Sequence, residues 1–187
     1  MTGFRVVDTA TRVRSTFLEL VEATIESDDG DTFTRTIVRH PGAVTVVPIT
    51  DDGDVLLVRQ YRAAAGRDIL EAPAGKRDVH GEPPEETGRR ELEEEVGHRA
   101  GRMVLLAEAF TSPGFCDEYA YIYAALDLTP LASTYAATAE EAAMTVERFP
   151  LAEVDDLIAR RDLVDATTIV GVLLARQLVD APRDADR

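Results

Sequence analysis

Gly75-Lys76-Arg77-Asp78-Val79-His80-Gly81-Glu82-Pro83-Pro84-Glu85-Glu86-Thr87-Gly88-Arg89-Arg90-Glu91-Leu92-Glu93-Glu94-Glu95-Val96-Gly97-His98 is the stretch that decides the fold. It runs from a glycine-bounded loop into a short helix that ends at Gly97. Pro83 and Pro84 suit a first helical turn, and Glu85 and Glu86 complement the dipole there. Gly88 inside the helix costs about 1 kcal/mol against alanine and points to close packing. Glu91, Glu94 and Glu95 stand at i, i+3 and i+4, so an α-helix places them on one face. Such crowding of like charge is unfavourable by about 0.2–0.5 kcal/mol per pair, and a bound cation removes the cost. Hard divalent ions prefer carboxylate oxygens, and Mg²⁺ combines a few of them with substrate phosphates. A bare glutamate run would read as a solvated helix face. The ordered Gly, Glu, Arg-Glu, Glu-Glu, Gly spacing does not fit that reading.

Working outward, 187 residues suffice for one well-buried domain, and 45% hydrophobic residues are ordinary for a globule. No stretch approaches the roughly eighteen apolar residues that span a bilayer. The start, Met1 to Asp8, lacks a signal-type apolar core, and a single cysteine, Cys116, fits a reducing cytoplasm. No membrane partner is therefore expected. A net charge of −15 repels nucleic-acid backbones, so nucleic acid is excluded as a partner. It also repels an anionic nucleotide unless metal and a few arginines make the site locally positive.

Residues 12–26 read as one strand and 32–39 as the returning strand of a hairpin, across the Asp28-Asp29-Gly30-Asp31 turn. Further strands are expected at 43–49, 55–62, 103–111, 118–126 and 144–149, and 69–72 leads into Pro73-Ala74-Gly75. Apolar spacing predicts a helix over 151–161, and Asp165 is positioned to cap a last helix running to Gln177. Residues 181–187 read as a frayed tail. Strands on both sides of a central helix, with two closing helices, predict an α/β chain with a mixed sheet between helical layers.

Arg90-Glu91-Leu92-Glu93-Glu94-Glu95-Val96-Gly97, with Glu82 eight positions before Arg90, resembles the Nudix box. The box departs in two places. Six residues rather than five separate Gly75 from Glu82, and His98 stands where a bulky apolar residue is usual. Glu71-Ala72-Pro73-Ala74-Gly75, Ser112-Pro113-Gly114-Phe115-Cys116-Asp117-Glu118 and Gln60-Tyr61-Arg62 are similar to motifs of the ADP-ribose pyrophosphatase group, in its actinobacterial form. The resemblance implies a Nudix α/β/α sandwich over 41–181, a leading β segment over 1–40 that builds a homodimer, and a tail over 182–187.

The resemblance also implies Mg²⁺-dependent hydrolysis of a nucleotide sugar, ADP-ribose, to AMP and ribose 5-phosphate, with Mn²⁺ as a substitute ion. The implied metal ligands are Glu91, Glu95, Glu94 (or a base in that position) and the Ala74 carbonyl, holding two or three ions. Arg62, Pro113, Gly114 and Phe115 are the implied substrate contacts. Gly75, Glu82, Arg90 and Gly97 keep the motif's shape, with Arg90 pairing Glu82. Glu141, then Glu140, matches the loop glutamate that acts as general base, although Ala143 stands where relatives often have an acid. With no Trp in the chain, any base stacking must use Phe or Tyr. Two alternatives remain open: hydrolysis of another substrate, such as GDP-mannose or NADH, and a Nudix-fold ligand sensor without turnover.

Overall fold

Alternation along one buried strand sets the layers. Val44 and Val46 point to one side of it and Val47 to the other, and all are fully buried. The computed structural model describes residues 3–132 and 143–181. The strands are β1 (Phe4–Arg14), β2 (Glu19–Ser27), β3 (Thr32–Arg39), β4 (Ala43–Pro48), β5 (Asp54–Arg62), β6 (Arg67–Glu71), β7 (Ala74–Lys76), β8 (His98–Phe110), β9 (Tyr119–Pro130) and β10 (Thr145–Pro150). The helices are α1 (Pro84–Glu91), α2 (Val154–Ala159) and α3 (Ala166–Asp180).

The central sheet has the order β7-β4-β9-β8. It is mixed, because β4 runs parallel to β9 while β7 and β8 pair antiparallel. A β-carbon on Gly88 of α1 would lie 2.9 Å from Val46 and 3.1 Å from Val44, so α1 covers that face at close range. A β-carbon on Gly171 of α3 would lie 2.7 Å from Val47, so α3 covers the opposite face. Each face has its own apolar cluster. Val47, Leu57, Leu70, Val154 and Val172 belong to the α3 side, and Val44, Val46, Leu92, Val96 and Tyr123 to the α1 side. The expected α/β/α sandwich is present, and the close packing expected at Gly88 is present too. A second sheet, β10-β5-β6, flanks it, and β1-β2-β3 forms a third.

Three elements differ from the sequence expectation. Residues 12–26 are not one strand: the chain turns at 15–18, where Ser15 N–H donates to Leu18 O at 2.8 Å and Leu18 N–H to Ser15 Oγ at 3.1 Å. Phe4–Arg14 then pairs with β2 as a further strand. The turn carries neither Gly nor Pro, so a hydroxyl-bonded bend was the only signal. The second difference is that β8 starts directly at His98, because Gly97 with φ of 69° reverses the chain at the end of the helix. The third is that α1 does not continue as α-helix through the glutamates: Leu92–Val96 form a π-helical turn. Smaller differences lie at the end of the chain, where a 3₁₀ turn (Leu151–Glu153) precedes α2 and α3 extends three residues past Gln177 to Asp180.

Candidate active site

The segment that joins β6 to β7 is clamped from three sides. Ala72 N–H donates to Thr168 Oγ1 at 2.9 Å, Val46 N–H donates to Pro73 O at 2.9 Å, and Ala74 N–H donates to Glu95 Oε2 at 3.1 Å. Thr168 is itself fixed, because Asp165 caps α3 by accepting from Thr168 N–H at 2.8 Å and from its hydroxyl at 2.7 Å. Strand β7, the π-helical turn and the start of α3 therefore meet at one place. A cleft of about 900 Å³ opens there, and Arg62, Glu71, Ala74, Gly75, Glu91 and Glu95 line one end of it.

The π-helical turn changes how the glutamates are presented. An i→i+5 turn is wider than an α-turn, so Glu95 stays over Glu91 while Glu94 swings back toward solvent. The Glu91 side chain is 13% exposed and that of Glu94 is 44% exposed. Burial, with the Glu91 charge second, pushes the Glu95 carboxyl up to about 8. Burial also raises the Glu91 carboxyl, against the pull of Arg90. Two enclosed acids so placed are short of positive charge.

Gly75 explains itself by contact rather than by backbone angle: a β-carbon there would fall 2.0 Å from the Glu91 carboxyl. Arg90 Nη1 reaches Glu91 at 2.7 Å and Glu94 at 3.3 Å, while Nη2 stands 3.6 Å from Glu82. Glu82 also accepts from the Thr87 hydroxyl at 2.7 Å, which holds the loop to α1. Gly97 closes the turn in the left-handed region. Arg62 lies in the cleft and pairs with Glu71, Nη2 to Oε2 at 2.6 Å.

Pro113, Gly114 and Phe115 lie on the loop between β8 and β9. Thr111 and Ser112 of the same loop face the cleft, and those three do not line it. Phe115 is exposed, and its carbonyl accepts from Val38 N–H at 2.7 Å. Glu140 and Glu141 fall outside the described residues. Among the described residues, no three carboxylate, imidazole or thiolate groups converge on one point as a closed metal cage.

The cleft also holds side chains to which the sequence assigned no role. Glu71 is a buried acid at the end of β6. Phe17, from the turn between β1 and β2, packs edge-on to His40 at 5.8 Å. His40 Nδ1 accepts the Gly42 N–H at 3.1 Å and stands 3.5 Å from Glu118. A ring on a short Ser-Thr-Phe-Leu bend was the only sequence sign of Phe17. Glu118 closes the quoted Ser112–Glu118 motif, whereas His40, just past the end of β3, carried no local signal.

A model of the NUDIX domain matches residues 39–168. The chain is 38% identical over 170 residues to the ADP-ribose pyrophosphatase of Mycobacterium tuberculosis (strain ATCC 25618 / H37Rv), covering 91% of this chain and 82% of that one. It is 36% identical over 155 residues to the ADP-ribose pyrophosphatase of Bacillus subtilis (strain 168), covering 83% of each. A crystal structure of an ADP compounds hydrolase shares the fold with a TM-score of 0.83, at 24% identity and over 99% of this chain and 98% of that one.

Proposed function

The chain belongs to the NUDIX domain family, and on that premise we propose that it hydrolyses ADP-ribose to AMP and ribose 5-phosphate. The observation that carries this reading is the enclosed Glu91–Glu95 pair beside Ala74, on the wall of a cleft of about 900 Å³. That volume suits a dinucleotide-sized ligand. Two relatives, 38% and 36% identical over the aligned residues, act, by their names, on ADP-ribose.

The residues fit a divalent ion. Glu91 and Glu95 are buried acids held up in pKa, which is the state that a cation relieves. Glu91, Glu95, Glu94 and the Ala74 carbonyl would hold Mg²⁺, or Mn²⁺ in its place, with water and phosphate oxygens completing the shell. When bound, the ion neutralises diphosphate charge and makes water nucleophilic. Arg90 keeps Glu91 and Glu94 aligned through its ion pairs. Gly75 leaves room for the Glu91 carboxyl. Glu141, or failing it Glu140, takes the proton from the attacking water as its oxygen bonds to phosphorus and the bridging P–O bond breaks. Arg62 contacts the substrate, and the loop of Pro113, Gly114 and Phe115 reaches it through Thr111 and Ser112, which face the cleft.

The same reading makes the protein a cytoplasmic homodimer. Support for the dimer is the exposed apolar side chains of β1, where Phe4, Val6, Val7 and Val13 are 59%, 54%, 44% and 57% exposed. Among the described residues, no helix is long and apolar enough to cross a membrane.

The test is a substrate panel of ADP-ribose, GDP-mannose, NADH and a nucleoside triphosphate, each with Mg²⁺, Mn²⁺ or EDTA. The expected result is metal-dependent release of AMP, fastest from ADP-ribose. Faster cleavage of another substrate, or no turnover at all, would reject the reading.

A further inference from the structure

Lys76 is the only lysine in a 187-residue chain whose net charge is −15, and it lines the cleft. It sits on β7 opposite Ala43, while Ala74 sits opposite Thr45. Two residues of strand separate the two positions, so Lys76 lies roughly 6–7 Å along the wall from the Ala74–Glu95 tie. Its ammonium stands 4.8 Å from the centroid of the Phe17 ring. A cation–π contact of this kind orients the side chain without neutralising its charge.

The other cleft cations are committed to acids. Arg62 is paired with Glu71, and Arg90 with Glu82, Glu91 and Glu94. Among the described residues, no carboxylate lies within ion-pair distance of Lys76. The surrounding wall is acidic, and an anionic ligand entering it needs an unspent positive charge. An ammonium is a compact point charge that meets a phosphate oxygen from many directions, whereas the fork of arginine suits paired carboxylates.

We propose that Lys76 is a substrate-binding residue that takes up a phosphate oxygen of the ligand at the Phe17 end of the cleft. The proposal deepens the reading above and rests on it, because it needs a phosphorylated ligand. Either product carries the required phosphate, AMP on one side of the cleaved bond and ribose 5-phosphate on the other.

The lone lysine makes a direct test possible. The full-length protein, with Mg²⁺ present, is acetylated by an amine-selective ester, and the rate at Lys76 is read by peptide mass spectrometry against the chain's α-amine. The additives are AMP, ribose 5-phosphate and adenosine. AMP or ribose 5-phosphate should slow labelling of Lys76 severalfold and leave the α-amine unaffected, while adenosine should not. The monoester that protects identifies the half of the substrate lying over β7. Equal protection by adenosine, or none by either monoester, overturns the proposal.

Kinetics supply a second reading. Lys76→Met keeps the stem against Phe17 and should raise KM for ADP-ribose about tenfold with kcat little changed, and Lys76→Arg should restore most of the loss. A wild-type protein without metal-dependent AMP release would defeat the functional reading itself. An active wild type with an unchanged KM in Lys76→Met would defeat this proposal alone.

Discussion

Ala74 N–H donates to Glu95 Oε2 at 3.1 Å, and this bond fastens the start of β7 to the most perturbed acid of the cleft. One backbone donor is small compensation for a carboxyl that burial and the neighbouring Glu91 push up to about 8. The pH dependence follows. Below the ordinary value of 4.5 both folded and unfolded chains hold the proton. Between there and about 8 the folded chain keeps a proton that the unfolded chain has released. The contribution of Glu95 to stability is thus fully present at acid pH and is lost as pH rises through that window. Without metal, the melting temperature of wild type relative to Glu95→Gln should fall from about pH 5 to pH 8. A constant difference across that range would contradict the assignment. In activity assays with Mg²⁺, Glu95→Gln should lower turnover by orders of magnitude while the fold survives.

Gly75 separates stability from activity. In Gly75→Ala the new methyl meets the far end of the Glu91 side chain at 2.0 Å, and that end can rotate away. Thermal stability should change by less than about 1 kcal/mol, within the range of substitutions that a flexible neighbour absorbs. Metal affinity and kcat/KM should fall about 10- to 100-fold, because the carboxyl loses its place. Calorimetric titration beside a melting curve reads both quantities.

Gly88 behaves in the opposite way. Helix propensity favours Gly88→Ala by about 1 kcal/mol. The methyl would meet Val46 at 2.9 Å, Val44 at 3.1 Å and Met103 at 3.2 Å. Both valines are fully buried in the central sheet and have nowhere to move. Overpacking of about 1–3 kcal/mol outweighs the propensity gain, so chemical denaturation should show a net loss.

Strand β1 carries a prediction about assembly. Size-exclusion chromatography with light scattering should give twice the chain mass for the wild type. Val6→Asp with Val13→Asp, which places charge on two exposed positions of β1, should give the mass of one chain. A single-chain mass for the wild type would remove the dimer from the account.

The sequence read well where structure is local and poorly where it is not. The β4 and β5 runs, the Asp165 cap and the tight packing at Gly88 all follow from patterns within a few residues. Strand β1 was missed because its residues alternate with charges and stay exposed, and because the Ser15–Leu18 bend uses a hydroxyl rather than Gly or Pro. The π-helical turn was missed because composition does not tell an i→i+5 turn from an α-turn. Glu91, Glu94 and Glu95 were legible by spacing, but their unequal burial was not. Phe17 and His40 reach the cleft through the pairing of distant strands, which no local pattern records.

Everything in the proposed chemistry depends on a divalent ion held against the diphosphate by Glu91 and Glu95. Titration of Mn²⁺ into wild type, Glu91→Gln and Glu95→Gln, followed by electron paramagnetic resonance with a non-hydrolysable ADP-ribose analogue present, tests it most directly. The account predicts bound Mn²⁺ in the wild type and markedly weaker binding in both variants. Equal Mn²⁺ affinity in all three proteins would contradict it.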